Sequence, residues 1–172
     1  MKVKVKVGSI YEVEHWRKCS FRSEGWIADV TRDHNVVTNE GLNNLLDVMF
    51  HGSTQTSTWY VALFNDDVTP ASGDTYASPT YTESSNYSEA SRQEYNEAAA
   101  SGESMTNSAN KASFTMSTSE TIYGAALVSD NSKGDTAATD AVLFGAAKFS
   151  SSKSVASNDV LKITITISAS SA

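Results

Sequence analysis

The sequence predicts a mostly β chain: an antiparallel β-sandwich or barrel with one short α-helix packed on the sheet. Three observations carry this. Strict two-residue alternation marks both ends, in KVKVKV (2–7) and VLKITITIS (160–168). Between them, apolar runs of strand length are separated by turns rich in Ser, Asn, Gly and Asp. Only residues 39–51 show a helical period. A length of 172 residues fits a single domain, 1–172, with N-terminal strands in 1–33 and a main body in 34–172.

In KVKVKV, Val3, Val5 and Val7 share one face and Lys2, Lys4 and Lys6 the other, the pattern of a half-buried strand. Lysines along one face also guard an edge strand against stray pairing. Two readings stay open. The segment pairs within its own sheet, favoured because the chain continues as strand through Val13 without a linker, or it is a docking arm that adds to a neighbouring subunit. SIYEVEHWRKC (9–19) and GWIADV (25–30) are further strand candidates, separated by a turn at RSEG (22–25). Residues 2–37 therefore read as a meander of three or four strands.

HNVVTNEGLNNLLDVMFHGS (34–53) contains the helix. Thr38 or Asn39 can cap it, and Glu40 favours its first turn. Leu42, Leu45, Leu46, Met49 and Phe50 lie on one face, and Gly52 suits the position just past the end. So short a helix needs a tertiary partner. Its leucine face is expected on the sheet containing the strand TWYVALF (58–64), which is apolar on both faces and so covered on both. On that expectation Leu46→Ala costs about 2–5 kcal/mol.

Residues 65–82, with both prolines, form a long irregular excursion, and 86–103 read as extended. ASFTMS (112–117) turns Ala112, Phe114 and Met116 inward. TIYGAALVS (121–129) and VLFGAAKF (142–149) are apolar strands that each carry Gly-Ala-Ala, small residues that permit close approach. The last strand turns Leu161, Ile163, Ile165 and Ile167 inward.

A net charge of -7 and a pI of about 4.9 argue against nucleic acid as a partner. No apolar run suits a signal peptide or a membrane span. Cys19 is the single cysteine, so no intrachain disulfide can form. It reads as a small apolar core residue, and the chain as one of a reducing compartment.

The residues that carry chemistry are scattered. His15, His34 and His51 fit no metal-binding spacing, and NDD (65–67) with GD (73–74) does not match a calcium loop. No nucleophile elbow, phosphate loop or dinucleotide fingerprint occurs. Glu83, Glu89 and Glu94 are no better glycosidase candidates than other carboxylates. No catalytic, cofactor-binding or metal residue is assigned, and the expectation is not an enzyme. Trp16, Trp26, Trp59 and Tyr60 read as core. Tyr76, Tyr81, Tyr87 and Tyr95 lie in polar, loop-like sequence, where tyrosine serves an interface or folds back on the body. With Val3, Val5 and Val7 they form the candidate interface set.

The ordered blocks HNVVTNEGLNNLLDVMFHGS, TWYVALF, YSEASRQEY, and TIYGAALVSDNSKG through KSVASNDVLKITITIS resemble a family of small virion structural proteins of tailed bacteriophages. In that family N-x-V-x-N-x-G-L-x-x-L-L precedes W-Y-V-x-L, then Y-x-E-a-x-R, then G-A-x-L-x-S-S-x-x-K-G and a K-S-V-x-x-G-D-x-L strand pair. The likeness covers most of 34–168. It departs at Asn158, where glycine is commoner, although Asn tolerates the left-handed conformation. The resemblance implies a non-enzymatic protein of the virion, assembled in the host cytoplasm. The leading expectation is a capsid decoration or cement protein on the outer head surface. Its partners would be the major capsid protein or other virion proteins, and it would form a homo-oligomer, dimer or trimer, with no cofactor, nucleic acid or membrane. The alternative is a tail, baseplate or fibre-associated component that contacts another tail protein or host glycan.

Overall fold

The two alternating ends of the chain belong side by side. In the computed structural model, which describes residues 5–19 and 22–171 (without the side chains of 19 and 22–24), the strands are β1 (Val5–Cys19), β2 (Arg22–His34), β3 (Val36–Val37), β4 (Tyr60–Phe64), β5 (Glu83–Ser84), β6 (Gln93–Glu94), β7 (Ser104–Thr106), β8 (Ala112–Thr115), β9 (Glu120–Val128), β10 (Leu143–Val155) and β11 (Val160–Ser171). One helix, α1 (Asn39–Phe50), lies between β3 and β4. β1 pairs antiparallel with β11 from Val5↔Ser171 to Trp16↔Val160. The chain thus closes its own first sheet, of order β2-β1-β11-β7 with β8 also on β11. The second sheet runs β3-β10-β9-β4-β5, with β6 on β4. The result is a two-sheet antiparallel sandwich with one short helix, not a closed barrel.

Alternation decides what lies between the sheets. Tyr11 and Val13 from β1, Phe114 from β8 and Leu161, Ile163 and Ile165 from β11 meet Val61 and Leu63 from β4 and Leu127 from β9. All of them are buried. Met116 continues the inward face of β8, as its alternation predicts. Close approach of neighbouring strands in the second sheet needs the glycine of β9. A Cβ on Gly124 would stand 2.0 Å from the Phe64 ring and 2.3 Å from the Ala147 carbonyl oxygen. Asn158 takes the left-handed conformation in the turn before β11, with φ 70°.

Several expectations are corrected. The described residues of 2–37 are not a meander of three or four strands: β1 and β2 form one long hairpin, β3 joins the other sheet, and RSEG belongs to β2 rather than to a turn. Val5 and Val7 pair with Ser171 and Ala169 of the same chain, so these residues are not a detached arm. Val7 packs on the core, whereas Val5, at the end of the strand, is exposed. Val3 lies outside the described residues, as does the Cys19 side chain.

The central strand β4 is covered on both faces, but not by the helix. A second apolar cluster on its far side joins Ala62 and Phe64 to Tyr76 and Tyr81 of the excursion at 65–82, with Ala126, Val128, Leu143 and Ala146. Phe64 and Tyr81 stack at 4.6 Å. The excursion is the lid of this second core, and α1 is left to pack against the start of β10.

Candidate functional site

The lone arginine between Arg32 and Lys111 organises the lid. Arg92 is buried, and all five of its N–H donors are used. Nε and Nη2 donate to the two carboxylate oxygens of Glu83 at 2.9 and 2.6 Å. Nη1 donates to the Tyr76 hydroxyl at 2.8 Å and the Asp130 carbonyl at 2.9 Å. Nη2 also reaches the Asp135 carbonyl at 2.8 Å. One guanidinium therefore ties the excursion, β5 and the 129–142 loop together. The planar fork of arginine suits this and an ammonium does not.

The same packing removes the tyrosines from the candidate interface. Tyr76, Tyr81, Tyr87 and Tyr95 are all buried, at 8% exposure or less. Tyr87 lies edge-on to Phe114 at 5.0 Å, and the Tyr95 hydroxyl donates to the Ile165 carbonyl. Burial pushes the phenols of Tyr81, Tyr87 and Tyr95 well up. Polar neighbours in sequence marked irregular backbone rather than exposure.

Besides Val5 and three half-exposed residues of β2, Trp26, Ile27 and Val30, the exposed large apolar side chains lie on α1. Its first turn is fixed firmly. Thr38 caps it, accepting from the Gly41 N–H at 3.0 Å while its hydroxyl donates to the Leu143 carbonyl. Glu40 accepts from the backbone N–H groups of Tyr76 at 2.9 Å and Leu143 at 2.6 Å. Gly41 lies so close to β10 that a Cβ would be 2.4 Å from the Phe144 carbonyl oxygen. This contact sets the helix rotation. Gly41, Asn44 and Val48 turn toward the body, leaving Leu45 at 37%, Leu46 at 55%, Met49 at 64% and Phe50 at 82% exposure. The stripe has the predicted period, and α1 does lie on the sheet that contains β4, at β10, but most of its leucine face is turned outward, against expectation. Four large apolar side chains are thereby exposed on one face of the helix.

No protein-family model and no curated protein matches the chain.

A second polar site lies where the hairpin crosses β10. His15 Nε2 is 2.9 Å from Asp159 Oδ2, both side chains being buried. Burial works against the Asp159 charge, but the Ala156 N–H and His15 outweigh it and hold the carboxyl below its usual range. Beside it the fully buried Lys153 ammonium pairs with Asp29, whose carboxyl that contact also lowers. A cavity of about 400 Å³ adjoins the pair, lined by Trp26, Ile27, Ser152 and Ser154 among others. A histidine oriented by a carboxylate is half of an acid–base unit, which also needs a nucleophile on the ring. Among the described residues no hydroxyl or thiol hydrogen-bonds the His15 ring, and no group of three or more His, Cys, Asp or Glu is placed to hold a metal ion. The pairs do join β1, β2, β10 and the turn before β11.

The structure thus does not bring the predicted set together: four tyrosines are core, Val7 is half-buried and Val5 is a strand end. The surface that stands out was visible as a helical stripe, and only its direction was misread. Arg92 was missed as an organiser. Its signal was there, one cation in a long stretch rich in carboxylates.

Proposed function

We propose that this chain is a non-catalytic structural protein of a tailed-bacteriophage virion, a decoration or cement protein of the outer head surface, and that it docks on other virion proteins through α1. The observation that carries the reading is the exposed Leu45, Leu46, Met49 and Phe50 face on a helix whose first turn is rigidly held. The order of the sequence blocks supports the virion context. A pre-formed apolar face loses little conformational entropy on docking. Its size is modest against a standard interface, which buries about 800 Å² per partner. Stable attachment would then come from several copies acting together on a repeating lattice. A homo-oligomer supplies that arrangement.

The test is cryo-electron microscopy of particles assembled with and without the protein, next to the double variant Leu46→Asp with Phe50→Asp. The reading expects copies arrayed over the head lattice, lost with the double variant although it melts as the parent does. Copies confined to the tail would replace the head reading with the tail one. Undiminished binding by the double variant would remove α1 from the interface.

A further inference from the structure

On an acidic chain, cations without carboxylate partners are informative, and two of the described ones, Lys18 and Lys162, share one recess, while Lys6 and Arg32 lie elsewhere. Arg92, Lys111, Lys148 and Lys153 all lie against carboxylates, and Lys133 is held by the Tyr87 and Glu89 carbonyls. Lys18 and Lys162 have no carboxylate oxygen within 4.0 Å among the described residues. Both line a cavity of about 560 Å³ beside the hairpin end, together with Trp16, Arg17, Thr115 and Asn158. Arg17 is half-exposed and reaches Asp159 only at 3.9 Å.

The lack of a partner for Lys162 is built into the sheet. Glu14 is its cross-strand neighbour, yet the two Glu14 oxygens are taken by the Lys111 ammonium and the Trp16 indole N–H. Lys162 instead lies over the Trp16 ring, 4.3 Å from its centre. The indole is thereby fixed by its own hydrogen bond, and the ammonium keeps hydrogen-bond donors for a ligand. Among the described residues no carboxylate lines the recess.

We propose that this recess binds an acidic sugar unit, whose oxyanion, a carboxylate or a phosphate, is held by Lys18, Lys162 and Arg17. The volume suits a small ligand. Thr115 and Asn158 supply hydroxyl and amide groups for the sugar hydroxyls, and the Trp16 edge supplies an apolar wall. The site lies beside the turn that follows β10, whereas α1 lies against the start of that 13-residue strand. A particle-bound copy docked through α1 would hold the recess at its other end. The inference does not depend on that docking.

Titration of the full chain by two-dimensional nuclear magnetic resonance tests it, with glucuronate, glucose 6-phosphate, glucose, acetate, inorganic phosphate and an oligoglutamate peptide as probes. The expected result is a saturable shift of the Trp16 indole N–H signal with one or both acidic sugars and none with glucose. Which acidic sugar acts identifies the oxyanion. Lys162→Gln and Lys18→Gln should each weaken it about tenfold, the scale of one charge-assisted hydrogen bond. The two residues lie on different strands, β1 and β11, so a folding defect in one variant leaves the other to decide. Equal binding of glucose, no saturable shift with either acidic sugar, or stronger binding of acetate, phosphate or the peptide than of the acidic sugars would overturn the proposal.

Discussion

The lid at 65–82 and the helix α1 exchange the roles that their sequences suggest. The lid is polar and irregular, yet Tyr76 and Tyr81 close a second core. The helix has a clean leucine stripe, yet most of it faces out. Period tells which residues share a face. It does not tell what covers that face, which depends on where the neighbouring elements anchor. Gly41 against Phe144 and Glu40 against Leu143 settle it for α1, and Arg92 settles it for the lid.

The largest effect should follow from breaking the lid. Arg92→Ala leaves Glu83 buried and uncompensated, a loss of about 3–5 kcal/mol in chemical denaturation. Arg92→Lys should recover little of it, because an ammonium cannot make the five-donor fork. A full rescue by lysine would show that charge, not geometry, holds the lid.

Acid should next loosen the hairpin crossing. The carboxyls of Asp29 and Asp159 are held below their usual range in the folded chain. A depressed folded value gives stability that is present above the unfolded pKa, about 3.9 for an aspartate, and is lost as pH falls through the folded value. Denaturation midpoints should therefore drop below about pH 4. Asp159→Asn should flatten that limb, and amide exchange in β2 should rise before exchange in β4. An unchanged acid limb in Asp159→Asn would place the acid sensitivity elsewhere.

A smaller effect probes one tyrosine hydroxyl. Tyr95 donates to the Ile165 carbonyl at 3.3 Å and lies 3.4 Å from that of Met105. Tyr95→Phe should cost about 1 kcal/mol by urea denaturation. No loss would mean that the hydroxyl contributes nothing to holding the 86–103 segment on β11.

Much of the sandwich was legible because its signals are local. Alternation in 112–117 and 160–168 gives the inner faces directly, and Gly-Ala-Ala marks the close approach of β9 and β10. The long hairpin was harder to read, since Gly25 interrupts β2 in a sequence that resembles a turn. The paired charges His15–Asp159 and Lys153–Asp29 join residues more than a hundred positions apart. No spacing rule reaches that far. Val5 and Val7 were legible as strand, while their partner, the last strand of the same chain, follows only from the sheet order.

The smallest effect is the most diagnostic. Had α1 turned its leucines onto the sheet containing β4, Leu46→Ala would remove a filled core volume and cost about 2–5 kcal/mol. With Leu46 at 55% exposure there is little cavity to create, and alanine has the better helix propensity. The expected change in thermal denaturation of the isolated chain is within about 0.5 kcal/mol of zero. Particle attachment should respond differently, because an exposed apolar side chain contributes only when a partner covers it. Leu46→Ala should raise the concentration needed to saturate particles while leaving the melting curve in place. A large loss of stability in the isolated chain would return the stripe to the core. Unchanged stability with unchanged attachment would leave α1 without a partner through this side chain.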